Sequence, residues 1–206
     1  MCHRYLRRIL LGVCVLITSG CQPRASEFRD GDIIFHTSRS AQSEAVQRAT
    51  RSKYSHMGII FFKEDEPYVF EAVSPVKFTS LQKWIDRGKN GRYVVKRLVN
   101  ADAVMSAAGL KKLRDSARQF EGKPYDLTFE WSDDRIYCSE LVWKMYDRAL
   151  GIEVGRLQKL REFDLSEPLV KQKVGERYGA RVPLDETVIS PQAIFDSPNL
   201  VTIDRR

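Results

Sequence analysis

The chain carries short apolar runs of strand-like composition, and these runs limit its fold to classes that contain a sheet. They are rich in Ile, Phe and Val, and the polar segment Lys63–Pro67 between two of them reads as a hairpin loop. The predicted strands are Ile33–Phe35, His56–Phe62, Tyr68–Val73 and Tyr93–Leu98. No internal repeat and no second composition regime is present, so the pattern predicts one α+β domain.

Apolar residues at helical spacing predict the remaining regular elements. The predicted helices are Ser38–Arg51, a turn at Leu81–Asp86, Ala103–Phe120, Cys138–Leu150, and Phe163–Tyr178 with a break at Pro168. Gly122-Lys123-Pro124 and Gly151 are expected to end the two long helices. The stretch Tyr125–Arg135 is irregular and rich in aromatic and acidic residues, and the tail Pro183–Ile203 is mixed.

Length and composition exclude several protein classes. The chain has 206 residues, of which 43% are apolar and 30% charged, as expected for one soluble globular domain. No apolar run reaches the roughly 18 residues that a membrane-spanning helix needs. The net charge of +7 includes three arginines in the first twenty residues, and no basic stripe alternates with aromatic residues. Nucleic acid is therefore not an expected partner.

The first twenty residues have the layout of a secretory signal peptide. A basic segment, Met1–Arg8, precedes the apolar core Ile9–Ile17 and the small residues Thr18-Ser19-Gly20. Cys21 follows directly, which resembles the lipobox of bacterial lipoproteins, where the cysteine is acylated and becomes the first residue. The resemblance implies a lipid anchor at Cys21, and Gln22 after it favours the periplasmic side of the outer membrane. The alternative is ordinary cleavage near Gly20, which leaves a soluble periplasmic protein.

This interpretation divides the chain into a signal peptide (1–20), an anchored linker (21–29) and one domain (30–206). Cys2 and Cys14 leave with the signal and Cys21 is consumed by lipid, so Cys138 is the one thiol of the mature chain. No disulfide can then form within it, although the compartment is oxidising.

Cys138 is the first candidate for chemistry. It lies at the predicted start of a helix, where unpaired amides and the positive helix end stabilise a thiolate and lower the pKa of the thiol. The alternative is a small buried core cysteine.

A cysteine nucleophile needs a base, and the mature chain offers His36 and His56. His56 begins a strand, and Gly58 two residues further leaves space on the same face. His36 ends the first strand, where capping or solvation accounts for it.

Glu71 is the candidate for orienting the base. It interrupts an apolar strand, which is costly unless the carboxylate has a partner. A two-residue loop at Lys63-Glu64 would place His56 directly opposite Glu71, and a loop one residue later would shift this register. The alternative is a solvent-facing glutamate.

Other reactive sites find less support. One cysteine and two histidines do not supply a usual structural zinc site, and no HExxH, CxxC, GxGxxG or phosphate-loop motif occurs. The acids of Trp131–Asp134 could bind a cation, although a solvated loop or the rim of a cleft is the favoured interpretation.

Five segments resemble the YiiX/YaeF-like permuted papain-fold amidases, which are circularly permuted relatives of NlpC-type cell-wall cysteine peptidases. The segments are Gly31–Phe35, Tyr54–Ile59, Tyr68–Val73, Gly122–Asp126 and Tyr137–Lys144. The resemblance extends from about Asp30 to Ile203. It implies an antiparallel sheet packed against the helix that carries the nucleophile.

The resemblance also implies roles for single residues. Cys138 is expected as nucleophile, His56 as base and Glu71 as the third member, with no metal or organic cofactor. Tyr125, in a segment similar to the glycine–proline–tyrosine turn of NlpC-type enzymes, or Tyr137 is expected to help hold the oxyanion.

The sequence thus predicts a periplasmic, membrane-anchored cysteine amidase or peptidase that acts by thiol acyl transfer on small peptides or amides, with cell-wall stem peptides favoured. A lipid acyltransferase or thioesterase on the same residues is one alternative, which an apolar cleft near Phe129, Trp131 and Trp143 would support. A non-catalytic binding protein is the other.

Overall fold

The computed structural model describes residues 28–206. The predicted signal peptide, Cys21 and most of the predicted linker lie outside the described residues. No helix within 28–206 is long and apolar enough to cross a membrane.

Within residues 28–206, eight strands form a main sheet and a small ribbon. In chain order they are β1 (Ile33–His36), β2 (His56–Lys63), β3 (Glu66–Glu71), β4 (Lys77–Ser80), β5 (Val94–Leu98), β6 (Gln158–Lys159), β7 (Thr187–Val188) and β8 (Leu200–Arg205). The main sheet has the order β4-β3-β2-β1-β5-β8, with every neighbouring pair antiparallel, and β6 pairs with β7. The predicted antiparallel α+β architecture is confirmed.

Seven α-helices accompany the strands in the described part of the chain. They are α1 (Ala41–Thr50), α2 (Leu81–Arg87), α3 (Ala101–Val104), α4 (Ala107–Phe120), α5 (Cys138–Leu150), α6 (Pro168–Tyr178) and α7 (Pro191–Phe195). The prediction for Cys138–Leu150 matches α5 at both ends. Gly151 ends it with a φ of 66°, a left-handed conformation that glycine adopts without steric cost.

Alternate strand residues point to opposite sides of the sheet, and the side chains on both faces are buried in a core. Ile33, Phe35 and Ile59 belong to the core shared with α4 and α5. Ile34 and Ile60 belong to a smaller core closed by α2, and Phe28 joins it from the start of the described chain. This arrangement holds the first turn of α5 against the start of β2.

The β2–β3 hairpin differs from the predicted register. Its turn residues are Glu64 and Asp65, both with positive φ, and Lys63 pairs with Glu66. The loop is therefore centred one residue later than Lys63-Glu64. Continuing the register places Gly58 opposite Glu71, so His56 and Glu71 are diagonal neighbours on the same face.

Three further elements depart from the sequence interpretation. The predicted helix Ala103–Phe120 is split, because Ser106 accepts a hydrogen bond from the Gly109 amide and starts α4 anew. The helix predicted from Phe163 begins at Pro168, whose fixed φ suits the first helical turn. Strand β4 was not predicted, since its sequence KFTS is short and mostly polar.

Candidate active site

Cys138 is the first residue of α5 and is 4% exposed. The Glu140 side chain accepts a hydrogen bond from the Tyr137 amide at 3.4 Å, so a carboxylate caps this helix start. The thiol Sγ lies 4.0 Å from the Ser55 carbonyl oxygen, next to the first residue of β2. The sulfur thus lies beside the strand that carries His56, with the free amides of a helix start behind it.

His56 lies between Cys138 and Glu71. Its Nε2 is 2.6 Å from Glu71 Oε2, and Cys138 lies close enough to the ring to raise the pKa of His56. Because the carboxylate occupies Nε2, Nδ1 is the ring nitrogen left to face the sulfur. A Cβ at Gly58 would come within 2.5 Å of Val69 Cγ1, so glycine is needed where β2 and β3 approach below this pair.

Glu71 is fully buried, and both of its carboxylate oxygens have partners. Oε2 meets His56, while Oε1 accepts hydrogen bonds from Thr79 Oγ1 at 2.5 Å and from the Arg87 guanidinium. Burial alone raises the pKa of Glu71, but the hydrogen bond from His56, its charge, Thr79 and Arg87 outweigh burial and lower the pKa to about 2. The carboxylate is therefore ionised whenever His56 needs a counter-charge.

The same contacts favour the charged imidazole. Burial lowers the pKa of His56, but the hydrogen bonds to Cys138 and Glu71 and the negative charges of both groups raise it to about 9. Near neutral pH these contacts thus favour the imidazolium form of His56, with the Glu71 carboxylate as its counter-charge.

His36 forms part of the same site, contrary to the expectation that capping or solvation accounts for it. It is 2% exposed, stacks on Trp84 with ring centroids 3.9 Å apart, and lies 5.3 Å from the His56 ring. Burial, with the nearby charges of His56 and Arg87, lowers the pKa of His36 to about 2. His36 is a neutral ring packed against the His56 side of the site.

The two tyrosines predicted for the oxyanion occupy different environments. Tyr125 lines the opening beside Cys138, and its hydroxyl accepts a hydrogen bond from Gln42 Nε2 at 3.2 Å. Burial, followed by the charge of Cys138, raises the pKa of Tyr125 well above its usual value. The Tyr137 hydroxyl instead accepts a hydrogen bond from the Ile189 amide at 3.0 Å. Both hydroxyls are acceptors in these bonds and keep their own proton, but Tyr125 lines the openings on both sides of the site whereas Tyr137 lines one, so the geometry favours Tyr125.

Two depressions meet at this site. The apolar groove lies between α1 and α6 and ends at Cys138; its lining includes Ala45, Val46, Leu160, Val170, Val174 and Ile189. The polar cleft lies on the other side; its lining includes His36, Ser38, Gln42, Ser43, His56 and Arg87. Ser55 and Tyr125 line both.

The residues of this site lie within a region of the chain that matches a known protein family. Residues 27–204 match the family described as "Permuted papain-like amidase enzyme, YaeF/YiiX, C92 family". The chain belongs to this family. Membership confirms the predicted fold class and supports a cysteine peptidase or amidase kind of function.

Two relatives illustrate the similarity. The uncharacterized protein YiiX of Escherichia coli K12 is 55% identical over 173 residues, which are 84% of this chain and 84% of that protein. The crystal structure of metalloprotein YiiX from Escherichia coli O157:H7 has a TM-score of 0.84 and 54% identity. That match covers 87% of this chain and 98% of the other.

Sequence reasoning missed the groups that hold Glu71 and His56. Thr79 and Arg87, which bond Glu71, look like ordinary surface residues in the sequence, as does Gln42, which donates to Tyr125. The acid of Glu71 within an apolar strand was the available signal, because a buried carboxylate requires partners from elsewhere in the fold.

The structure also locates the acidic and aromatic residues that the sequence singled out for cation binding or for an apolar cleft. Within residues 28–206, no group of three or more His, Cys, Asp or Glu side chains is arranged to hold a metal ion. Asp133, considered above for cation binding, pairs with Lys144 and Arg148. Trp131 and Trp143 contact each other, whereas Phe129 lines the apolar groove.

Proposed function

We propose that the chain is a cysteine amidase or peptidase that acts by thiol acyl transfer, with Cys138 as nucleophile, His56 as base and acid, and Glu71 as the orienting group. The observation that carries the proposal is the position of His56, whose Nε2 is 2.6 Å from the buried carboxylate of Glu71 and whose pKa is raised by the neighbouring Cys138. A nucleophile, a base within reach and a third group that fixes the base are what covalent acyl transfer requires.

The reaction begins with attack of the Cys138 thiolate on the substrate carbonyl. The first-turn amide of α5 and the Tyr125 hydroxyl are placed to donate hydrogen bonds to the oxyanion. His56 then gives its proton to the leaving amine, and the C–N bond breaks to leave a thioester. Water, deprotonated by His56, attacks the thioester and releases the acid and the free thiol.

One of the relatives of known structure is described as a metalloprotein. Glu71 already uses both of its carboxylate oxygens on His56, Thr79 and Arg87. These residues do not fit a metal-binding set in the arrangement described. No step of the proposed mechanism involves a metal.

The compartment and the substrate complete the proposal. Cleavage before Cys21 and acylation of its thiol place the enzyme on the periplasmic side of the outer membrane. Small peptides or amides reach it there, and cell-wall stem peptides are the abundant substrates of that kind in this compartment. The lipobox-like segment of the sequence supports this location.

The apolar groove supports a second candidate function, a lipid acyltransferase or thioesterase. Cys138 lines the groove, and most of the other lining side chains, from α1, α6 and neighbouring segments, are aliphatic or aromatic. An acyl chain in the groove would bring its carbonyl to the sulfur, and the thioester intermediate is the same in both functions.

Turnover measurements on the full-length chain in detergent test the proposal and separate the two candidates. N-acyl amides, purified stem peptides and lipid esters are incubated with wild type and with Cys138→Ala, and products are followed by mass spectrometry. Cysteine-dependent amide cleavage supports the first candidate, and acyl release or transfer from lipid esters alone supports the second. Binding without turnover of any substrate contradicts both.

A further inference from the structure

The positions of Cys138 and His56 determine on which side of the site the leaving group of the substrate lies. His56 lines the polar cleft and not the apolar groove, whereas Cys138 lines the groove and not the cleft. Since a general acid must contact the atom that it protonates, the leaving nitrogen lies on the His56 side. The part of the substrate attached to that nitrogen therefore occupies the polar cleft.

The polar cleft presents positive charge. Its described lining includes Arg87 and His56 and contains no aspartate or glutamate. Glu71 is fully buried behind these two residues, with one carboxylate oxygen on each. His36 also lines the cleft, but burial keeps its ring neutral, so Arg87 is the permanent cation there.

Arg87 has donors to spare. Within the described residues its guanidinium makes one hydrogen bond, to Glu71 Oε1, out of the five N–H donors that an arginine carries. Its side chain is 44% exposed, so the rest of the guanidinium remains accessible from the cleft. Guanidinium groups match carboxylates in shape and charge, and they can hold both carboxylate oxygens at once.

We propose that Arg87 binds a carboxylate on the leaving group, so that the substrates are N-acylated amino acids or peptides cut before their C-terminal residue. This inference rests on the proposed amidase function. In the reaction, the Cys138 sulfur bonds to the acyl carbon while the amide C–N bond breaks, and His56 gives its proton to the nitrogen. A free amino acid leaves with its carboxylate still on Arg87, and water then hydrolyses the thioester.

A matched substrate pair tests this directly. N-decanoyl-alanine and N-decanoyl-alaninamide have the same scissile amide and differ in the carboxylate of the leaving group; an N-acetyl pair covers acyl preference. With the full-length chain, kcat/KM is expected to be roughly tenfold to a hundredfold higher for the carboxylate member, from a charge-assisted hydrogen bond. Arg87→Gln is expected to abolish this ratio, and Arg87→Lys to restore part of it.

Thr79→Val is the control for the structural role of Arg87. Thr79 also donates to Glu71 Oε1 but does not line the cleft, so its loss is expected to slow both substrates equally and leave the ratio unchanged. A wild type that cleaves both members of a pair at the same rate, or a ratio that survives in Arg87→Gln, overturns the inference while the amidase proposal stands. Cleavage of none of the four substrates contradicts the amidase proposal, and the inference falls with it.

Discussion

Glu71 Oε2 lies 2.6 Å from His56 Nε2, although the two residues are not direct partners in the β2–β3 ladder. The hairpin turn at Glu64–Asp65 makes them diagonal neighbours. The residue directly opposite the glutamate is Gly58, which has no side chain. The carboxylate can therefore lean across to the imidazole.

Removal of the negative charge from Glu71 is expected to disable the site while preserving its shape. Glu71→Gln should lower kcat/KM by about 10²- to 10⁴-fold, since the imidazolium loses its counter-charge and its fixed orientation. Steady-state kinetics on a substrate found in the turnover assay measure the loss. Glu66→Gln, the same change at the exposed end of β3, should behave like wild type. Equal rates for the two variants would contradict the role of Glu71.

The two candidate oxyanion tyrosines are expected to respond differently to loss of their hydroxyl groups. Tyr125→Phe should lower kcat by roughly 10²-fold with little change in thermal stability, because a donor beside the sulfur is removed. Tyr137→Phe leaves the buried Ile189 amide without its acceptor and should lower the free energy of unfolding by about 1–3 kcal/mol. Kinetics and thermal unfolding of both variants check this, and the opposite pattern would assign the oxyanion to Tyr137.

The close approach of β2 and β3 predicts that Gly58 tolerates no side chain. In Gly58→Ala the new Cβ would lie 2.5 Å from Val69 Cγ1 and 2.6 Å from the Phe70 carbonyl oxygen. Separation of the strands should cost about 1–3 kcal/mol of unfolding free energy and move Glu71 away from His56. Gly175→Ala in α6 is the control, since nothing lies within 4 Å of its new Cβ. Chemical denaturation of both variants decides; equal stability would refute the steric argument.

The neutral state of His36 predicts a pH-dependent stability difference. The usual pKa of 6.5 is lowered to about 2 in the fold, so below pH 6.5 the unfolded chain gains a proton at His36 that the folded chain does not. The stability associated with this residue is thus present above pH 6.5 and decreases as the pH falls towards 2. As the pH falls from 8 to 5, wild type should therefore lose stability relative to His36→Phe, which has no proton to gain at this position. Melting temperatures of both proteins across that range measure it, and parallel curves would contradict the prediction.

The sequence was sufficient to predict the parts of the site that look unusual in their local context. Cys138 starts an amphipathic helix, and Glu71 interrupts an apolar strand, so each could be singled out from neighbouring residues alone. The hairpin register could not be fixed, because a turn with positive φ at Glu64 and Asp65 has no glycine or asparagine to mark it.

The supporting residues depend on contacts between distant segments. Arg87 and Thr79 reach Glu71 because α2 and β4 pack beside β3, and the short polar strand β4 was not recognised. Pairing of β8 with β5 joins the end of the chain to its middle, which periodicity cannot reveal. Burial of His36 follows from Trp84, which stacks on it from α2.

The alkylation rate of Cys138 as a function of pH, read from its peptide by mass spectrometry, tests the central claim most directly. Full-length wild type and His56→Ala are treated with iodoacetamide in parallel. Because alkylation is read from the peptide that contains Cys138, the other cysteines do not contribute. Wild type is expected to remain reactive well below a pH of about 8.5, near which a free thiol titrates, and His56→Ala is expected to lose this reactivity. Slow alkylation at neutral pH in wild type, or the same pH profile in both proteins, would contradict an activated Cys138–His56 pair.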